Sequence, residues 1–293
     1  MILERCKMQQ DKKFQNVEID NTVQKDDGKR VKKLLVVLYL VLFAWFGQFV
    51  WNRMQNFPFF YKAQIKKLGY EYNESAFISA LNDNNKEAVD LFLKSGMSVN
   101  IRDEYNQQPI HIVANNGDVE MFDIIAPYSP DIDAKGRAAW TPIYYAVFRG
   151  NTNMVINLIA QNADVNIVNN LNKSPLLEAV IRKDFADAKL LLIAGANPNT
   201  ADVHETTPLH IATWNNNVKL VELLLDYDAS VNVEEEHGWT PLHIAAYKGN
   251  DKILRLLINS GANTKIKTDE GKTALDIAKK YNNKLIVQIL EQA

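Results

Sequence analysis

Cysteine is almost missing from this 293-residue chain, with Cys6 standing alone. That excludes an internal disulfide framework and any multi-thiolate zinc site. Glycine and proline are sparse, at 12 and 9, so the chain is neither collagen-like nor of low complexity. Neither sign of charge prevails: 33 Lys and Arg face 35 Asp and Glu, for a net of −2, which argues against a polybasic nucleic-acid binder. No G-x-S-x-G, H-E-x-x-H, C-x-x-C or G-x-x-x-x-G-K-[ST] pattern occurs. Catalytic residues, cofactors and a small-molecule substrate are therefore not expected. What the chain does have is 47% hydrophobic residues, enough to exclude intrinsic disorder and to build one long domain or two ordinary ones.

Charge is also missing locally. Residues 1–33 carry nine Lys/Arg and six Asp/Glu, residues 34–51 carry none, and the remainder has a net charge of −5. The uncharged stretch is apolar except at Gly47 and Gln48. As a helix it would be ~27 Å long, against a hydrocarbon thickness of ~30 Å. A buried core helix would show a polar face, and a cleaved signal peptide would have a shorter apolar region and small residues at its end. The composition predicts an uncleaved signal-anchor helix that meets the lipid bilayer through residues 34–51. Lys29, Arg30, Lys32 and Lys33 abut it on the amino-terminal side, so the positive-inside bias puts residues 1–33 in the cytosol and the large remainder across the membrane. In a bacterium that compartment is the periplasm. Residues 52–73 form an aromatic linker, which fits equally an interfacial segment on the outer leaflet or a helix capping the folded domain.

Self-comparison of residues 74–293 shows a strict period. Gln108-Pro109-Ile110-His111, Thr141-Pro142-Ile143-Tyr144, Ser174-Pro175-Leu176-Leu177, Thr207-Pro208-Leu209-His210 and Thr240-Pro241-Leu242-His243 recur every 33 residues, and Thr273-Ala274-Leu275-Asp276 continues the series. Ala80, Val113, Ala146, Ala179, Ala212, Ala245 and Ala278 hold one register, giving seven units. Sixteen residues beyond this register lie Gly96, Ser129, Asn162, Gly195, Asp228 and Gly261, suited to a left-handed helix exit. Thr or Ser before Pro is an N-cap followed by the first helical residue. Neither helix of a unit can bury its apolar face alone, so neighbours must stack.

These residues resemble the ankyrin repeat, with its T-P-L-H-x-A helix, second helix and G-A-x-x-N exit. The resemblance implies an all-α solenoid of helix-turn-helix units with projecting turns, which binds a protein partner. His111, His210 and His243 share one register and are read as structural, since successive units lie ~10 Å apart, too far to share a zinc ion. Glu234, Glu235 and Glu236 are read as a solvated loop tip, and no metal site is expected.

The family's binding surface comprises the projecting turns and the exposed side of the first helices. On this sequence those positions include Tyr105, Arg137, Trp140 and Trp239 at or beside the turns. On the helices they are Phe148 and Arg149, Ile181 and Arg182, Trp214, and Tyr247 and Lys248. A large apolar residue thus recurs in four successive units where solvated positions would be polar, which suggests a binding stripe. Packing of these residues on each other is the alternative. The expected function is that of a membrane-anchored binding protein with its partner on the non-cytosolic side. A specific version is an inhibitor or immunity protein of a toxic enzyme; a scaffold or assembly factor for an envelope complex is the alternative.

Overall fold

The structure, a computed structural model, describes residues 58–293 and the single position 41. The basic tail and, save for Val41, the predicted span 34–51 lie outside the described residues. The chain divides after residue 57, and the unit beginning at Pro58 is described below. Among the described residues no helix is long and apolar enough to cross a membrane.

The described elements are all helical. Helix α1 (Pro58–Lys67) precedes a series of pairs: α2 (Glu74–Asn82) and α3 (Lys86–Lys94), α4 (Pro109–Asn116) and α5 (Val119–Ile125), α6 (Pro142–Arg149) and α7 (Thr152–Ala160), and α8 (Pro175–Ile181) and α9 (Phe185–Ile193). They continue as α10 (Pro208–Trp214) and α11 (Val218–Asp226), α12 (Pro241–Lys248) and α13 (Asp251–Asn259), and α14 (Ala274–Lys280) and α15 (Lys284–Leu290). Each first helix packs on the first helix of the next pair, and each second helix does likewise. The result is one continuous hydrophobic core running along the stack, as expected where single pairs cannot bury their own faces.

Local chemistry explains the helix boundaries. Ser174 Oγ accepts the Leu177 N–H at 3.1 Å, and Asn73, lacking a following proline, accepts the Ala76 N–H at 2.8 Å. The second helices are capped too: Asn85, Asp118, Asp184, Asn217 and Asn250 each accept an N–H three residues on. These bonds satisfy donors that would otherwise be orphaned in the first turn. At the far ends Gly96, Ser129, Asn162, Gly195, Asp228 and Gly261 are all left-handed. Leu242, Ala245 and Ala246 are buried between first helices, while Ile253, Leu254 and Leu257 line the second-helix core and Leu256 is only half-buried.

The repeats are tied together by polar bridges that recur with the same period. His111, His210 and His243 are buried. Their Nδ1 atoms accept the N–H of Gln108, Thr207 and Thr240, so the ring proton must reside on Nε2. Nε2 then donates to a carbonyl further on: Ala134 at 2.8 Å, Trp239 at 3.0 Å and Ile266 at 3.1 Å. In the third pair Tyr144 holds this register, and its hydroxyl donates to Glu178 at 2.8 Å. In the fourth pair Leu177 holds it, with no polar side chain to offer. An asparagine ladder runs alongside: Asn166 accepts the Asn197 N–H and donates to the Gly195 carbonyl, and Asn199 and Asn232 repeat the pattern.

One core position breaks the pattern. Met121, Met154, Leu220, Ile253 and Ile286 hold a single register and are all buried. The same register in α9 is Asp187, which is 0% exposed and whose carboxylate oxygens find no hydrogen-bond partner among the described residues. Burial pushes its carboxyl above the ordinary range, with Asp184 adding to the effect. The nearby Thr152 hydroxyl pulls the other way, but it lies outside hydrogen-bonding geometry.

At the amino-terminal end, Ile65 of α1 is fully buried in the same core, and Tyr61, Tyr70 and Tyr72 pack against it. Tyr72 stacks on Phe92 at 5.8 Å, and the Lys62 ammonium lies 4.0 Å above the Tyr72 ring. Part of the aromatic linker therefore covers the first pair.

Candidate binding face

The first helices and the turns before them form the face where the expected partner-binding residues collect, but in two separate patches. In the carboxy-terminal patch Trp214, at the end of α10, is 49% exposed. Its ring stacks on Tyr247 of α12 with centroids 5.8 Å apart and planes 12° apart. Lys248 holds its ammonium 4.0 Å above the Trp214 ring. Trp239 meets Tyr247 edge-on at 5.9 Å, and Tyr281, just beyond α14, does so at 4.7 Å. These rings line an open cavity of about 540 Å³, with Glu235 and His210 also on its wall.

Mutual packing, the alternative to a binding stripe, holds for Trp214 and Tyr247, with Trp214 still 49% exposed and Tyr247 half-buried. Stacking holds Trp214 and Tyr247 in one geometry, so less side-chain freedom remains to be lost on binding.

The amino-terminal patch is polar. Trp140 is half-buried and packs against Tyr144, Tyr145 and Phe148 at 4.7–4.9 Å. Phe148 is left 37% exposed. Arg149 Nε donates to Asn115 Oδ1 at 2.8 Å, and Arg137 lies 5.8 Å from the centroid of the exposed Tyr105 ring. Arg137, Arg149, Tyr105 and Tyr145 line one cavity of about 310 Å³. The turn carrying Arg137 is unusual: Ala138 and Ala139 are both left-handed, at φ 55° and 59°. Each costs ~1–2 kcal/mol relative to right-handed backbone. Ile181 is half-buried and Arg182 exposed, and neither lines a wall of the two cavities.

Sequence reasoning passed over Tyr281, Asn115 and Tyr145. Tyr281 falls one residue past the register of the apolar stripe, where Lys280 stands. The other two read as ordinary helix positions, and only the convergence of neighbouring pairs brings them beside Arg149.

The titratable groups in and under these first helices are shifted mainly by burial. Burial pushes the rings of His111 and His243 below their usual range and that of His210 down to about 4. The buried Tyr144 phenol is pushed well up by burial and by Glu178. None of these groups stands free in solvent. Among the described residues no cluster of three metal-ligating side chains occurs.

No curated protein sequence matches the chain significantly. The family model for ankyrin repeats (3 copies) does match, four times over, at residues 76–169, 110–202, 143–235 and 209–292. Those matches cover the whole described stack of pairs but for its ends, and with the 33-residue period and the Thr-Pro-capped first helices they show that the chain belongs to the ankyrin-repeat family, whose repeats serve protein–protein interaction.

Proposed function

We propose that this protein is a membrane-tethered binding module, with seven ankyrin units that capture a protein partner on the non-cytosolic side of the membrane. Counting each helix pair as one unit gives seven, and α1, with Ile65 buried against them, acts as the amino-terminal cap. The uncharged run 34–51 and the basic cluster before it support the tether and its orientation. A tether raises the effective concentration of the module near the bilayer. The observation that carries the binding role is the aromatic floor of Trp214, Tyr247, Trp239 and Tyr281, open to solvent and flanked by charge. Aromatic residues held in place in this way are the usual anchors of protein interfaces. We favour an inhibitor or immunity role, in which the face covers a toxic enzyme, over a scaffold for an envelope complex.

Two measurements test this reading. A phosphatase that requires an oxidising compartment, fused after residue 293, is expected to be active, and strong activity of a cytosolic reporter at that point would refute the orientation. Substituting Trp214→Ala with Tyr247→Ala should abolish capture of the partner from envelope extract, because each hot-spot truncation costs ~2 kcal/mol or more. Stability should fall by ~2–3 kcal/mol, because Tyr247 is half-buried against the core and also packs on Trp239 and Tyr281, so capture is compared at a temperature where the double variant is still folded. Capture undiminished in the double variant would remove this face from the binding role. Loss of an enzyme's activity on mixing with the protein separates an inhibitor from a scaffold.

A further inference from the structure

The groove contains one pocket twice, with different chemistry. Moving three repeats, or 99 residues, along the chain carries His111 to His210, Ile112 to Ile211 and Tyr145 to Ile244, which form corresponding walls of the two cavities. The same step replaces Asn115 by Trp214, Arg137 by Glu236 and Arg149 by Lys248. The scaffold is repeated within the molecule, and the recognition groups are not.

We infer that the Arg137–Arg149 pocket is a subsite for a carboxylate side chain of an extended acidic segment in the partner protein. The inference rests on the proposal above that this face binds a protein. Both arginines line one small cavity, and among the described residues neither forms an ion pair. Each is oriented by a neutral group instead: Arg149 by the Asn115 amide oxygen and Arg137 by the Tyr105 ring. Most of their N–H donors therefore remain for an occupant, in the fork geometry that matches a carboxylate. A further donor stands beside them. The Tyr145 hydroxyl accepts from Gln107 Nε2 at 2.6 Å, which leaves its own hydrogen to give.

The remainder of the groove selects the class of ligand. Asp202, Glu205 and Glu234 to Glu236 lie on the later turns, and would repel the continuous phosphates of a nucleic acid. Three repeats at ~10 Å each span ~30 Å, or about nine residues of extended chain. The expected ligand thus carries Asp or Glu at one end and a large apolar side chain about nine residues away, where the aromatic cavity receives it. Glu235 on the wall of that second cavity disfavours the reverse direction.

A library of random dodecapeptides, displayed and selected on the full chain in mild detergent, tests the inference. Selected peptides should be enriched in Asp and Glu, and should bind the Arg137→Gln, Arg149→Gln variant about tenfold less tightly, as expected for loss of charge-assisted hydrogen bonds. The charge-reversed variant Arg137→Glu, Arg149→Glu should switch the enrichment to Lys and Arg, a gain that misfolding cannot produce. Peptides without acidic enrichment, or acidic peptides retained by the reversed variant, would overturn the carboxylate subsite. So would a preference of about tenfold or more for phosphoserine over glutamate at the same position. If such peptides still required Trp214 and Tyr247, the binding face itself would stand. Peptides indifferent to both patches would overturn the subsite and the binding face together.

Discussion

Asp187→Leu is expected to stabilise the protein by about 3 kcal/mol. The aspartate occupies a fully buried register held by Met or a branched aliphatic in the neighbouring units, and among the described residues neither of its oxygens has a partner. Removing an unsatisfied buried polar group recovers ~1–3 kcal/mol. Burying a leucine side chain in its place adds ~1.5–3 kcal/mol, less whatever misfit the local volume imposes. Denaturant melts of the two proteins at pH 7 check this, and an unchanged or lowered midpoint would show that the carboxyl is satisfied in solution. The substitution should also alter the response to acid. A carboxyl whose folded pKa is raised gives stability that is present below its unfolded value and lost as pH rises through the folded one. Asp187 therefore partly offsets the acid sensitivity described next, and the leucine variant should lose more stability on acidification than its parent.

Lowering the pH from 7 to 4 should cost about 3 kcal/mol through His210 alone, which is the free-energy equivalent of moving an imidazole from its ordinary 6.5 to about 4. The physical cause is burial, which disfavours the charged ring and outweighs the upward pull of the neighbouring backbone carbonyls. Nδ1 already accepts from the Thr207 N–H and hydroxyl, so a proton added there would face two donors. The unfolded chain binds that proton below about pH 6.5 and the folded chain only near pH 4. Stability is thus complete above 6.5 and declines through this window. His111 and His243, also lowered by burial, contribute with the same sign. Asp118 and Asp276, held below the usual carboxylate range, add to the loss only in stronger acid. His204 is raised by its bond to Glu236 and has the opposite sign, but it is exposed and screened by solvent. Melts at pH 7, 5.5 and 4 should fall steadily in midpoint. His210→Leu, which copies the buried Leu177 of the fourth pair, should flatten that decline while lowering stability at pH 7. An equally steep decline in that variant would assign the effect elsewhere.

The fold was legible because its signals are local and repeated. Thr or Ser before Pro sets where each first helix starts, and the residues from Gly96 to Gly261 that leave the second helices are all left-handed, as their spacing required. The structural role of the three histidines was legible for the same reason, since a shared register implies a shared bond. Asp187 could have been found by aligning the second helices, where it stands among Met, Leu and Ile; a reading focused on the Thr-Pro register passes over it. The geometry of the proposed binding face was legible only in part. The apolar stripe correctly names Phe148, Trp214 and Tyr247 as side chains on one face. Its continuity is broken because Trp140 covers part of Phe148 and Ile181 lines neither cavity. The convergence of Arg137 and Arg149 depends on a turn with two consecutive left-handed alanines, a conformation that alanine itself does not predict.

The asparagine ladder runs through the middle, but the histidine bridges between repeats are unevenly spread, and this has a mechanical consequence. Histidine clamps join units near both ends, whereas the fourth pair offers Leu177 at that register and the unpaired Asp187 in its core. Pulled from its two ends, the solenoid should part first at its middle. Each half would then come away with one of the two pockets intact, so that the centre of the molecule acts as a fuse that spares both pockets from strain.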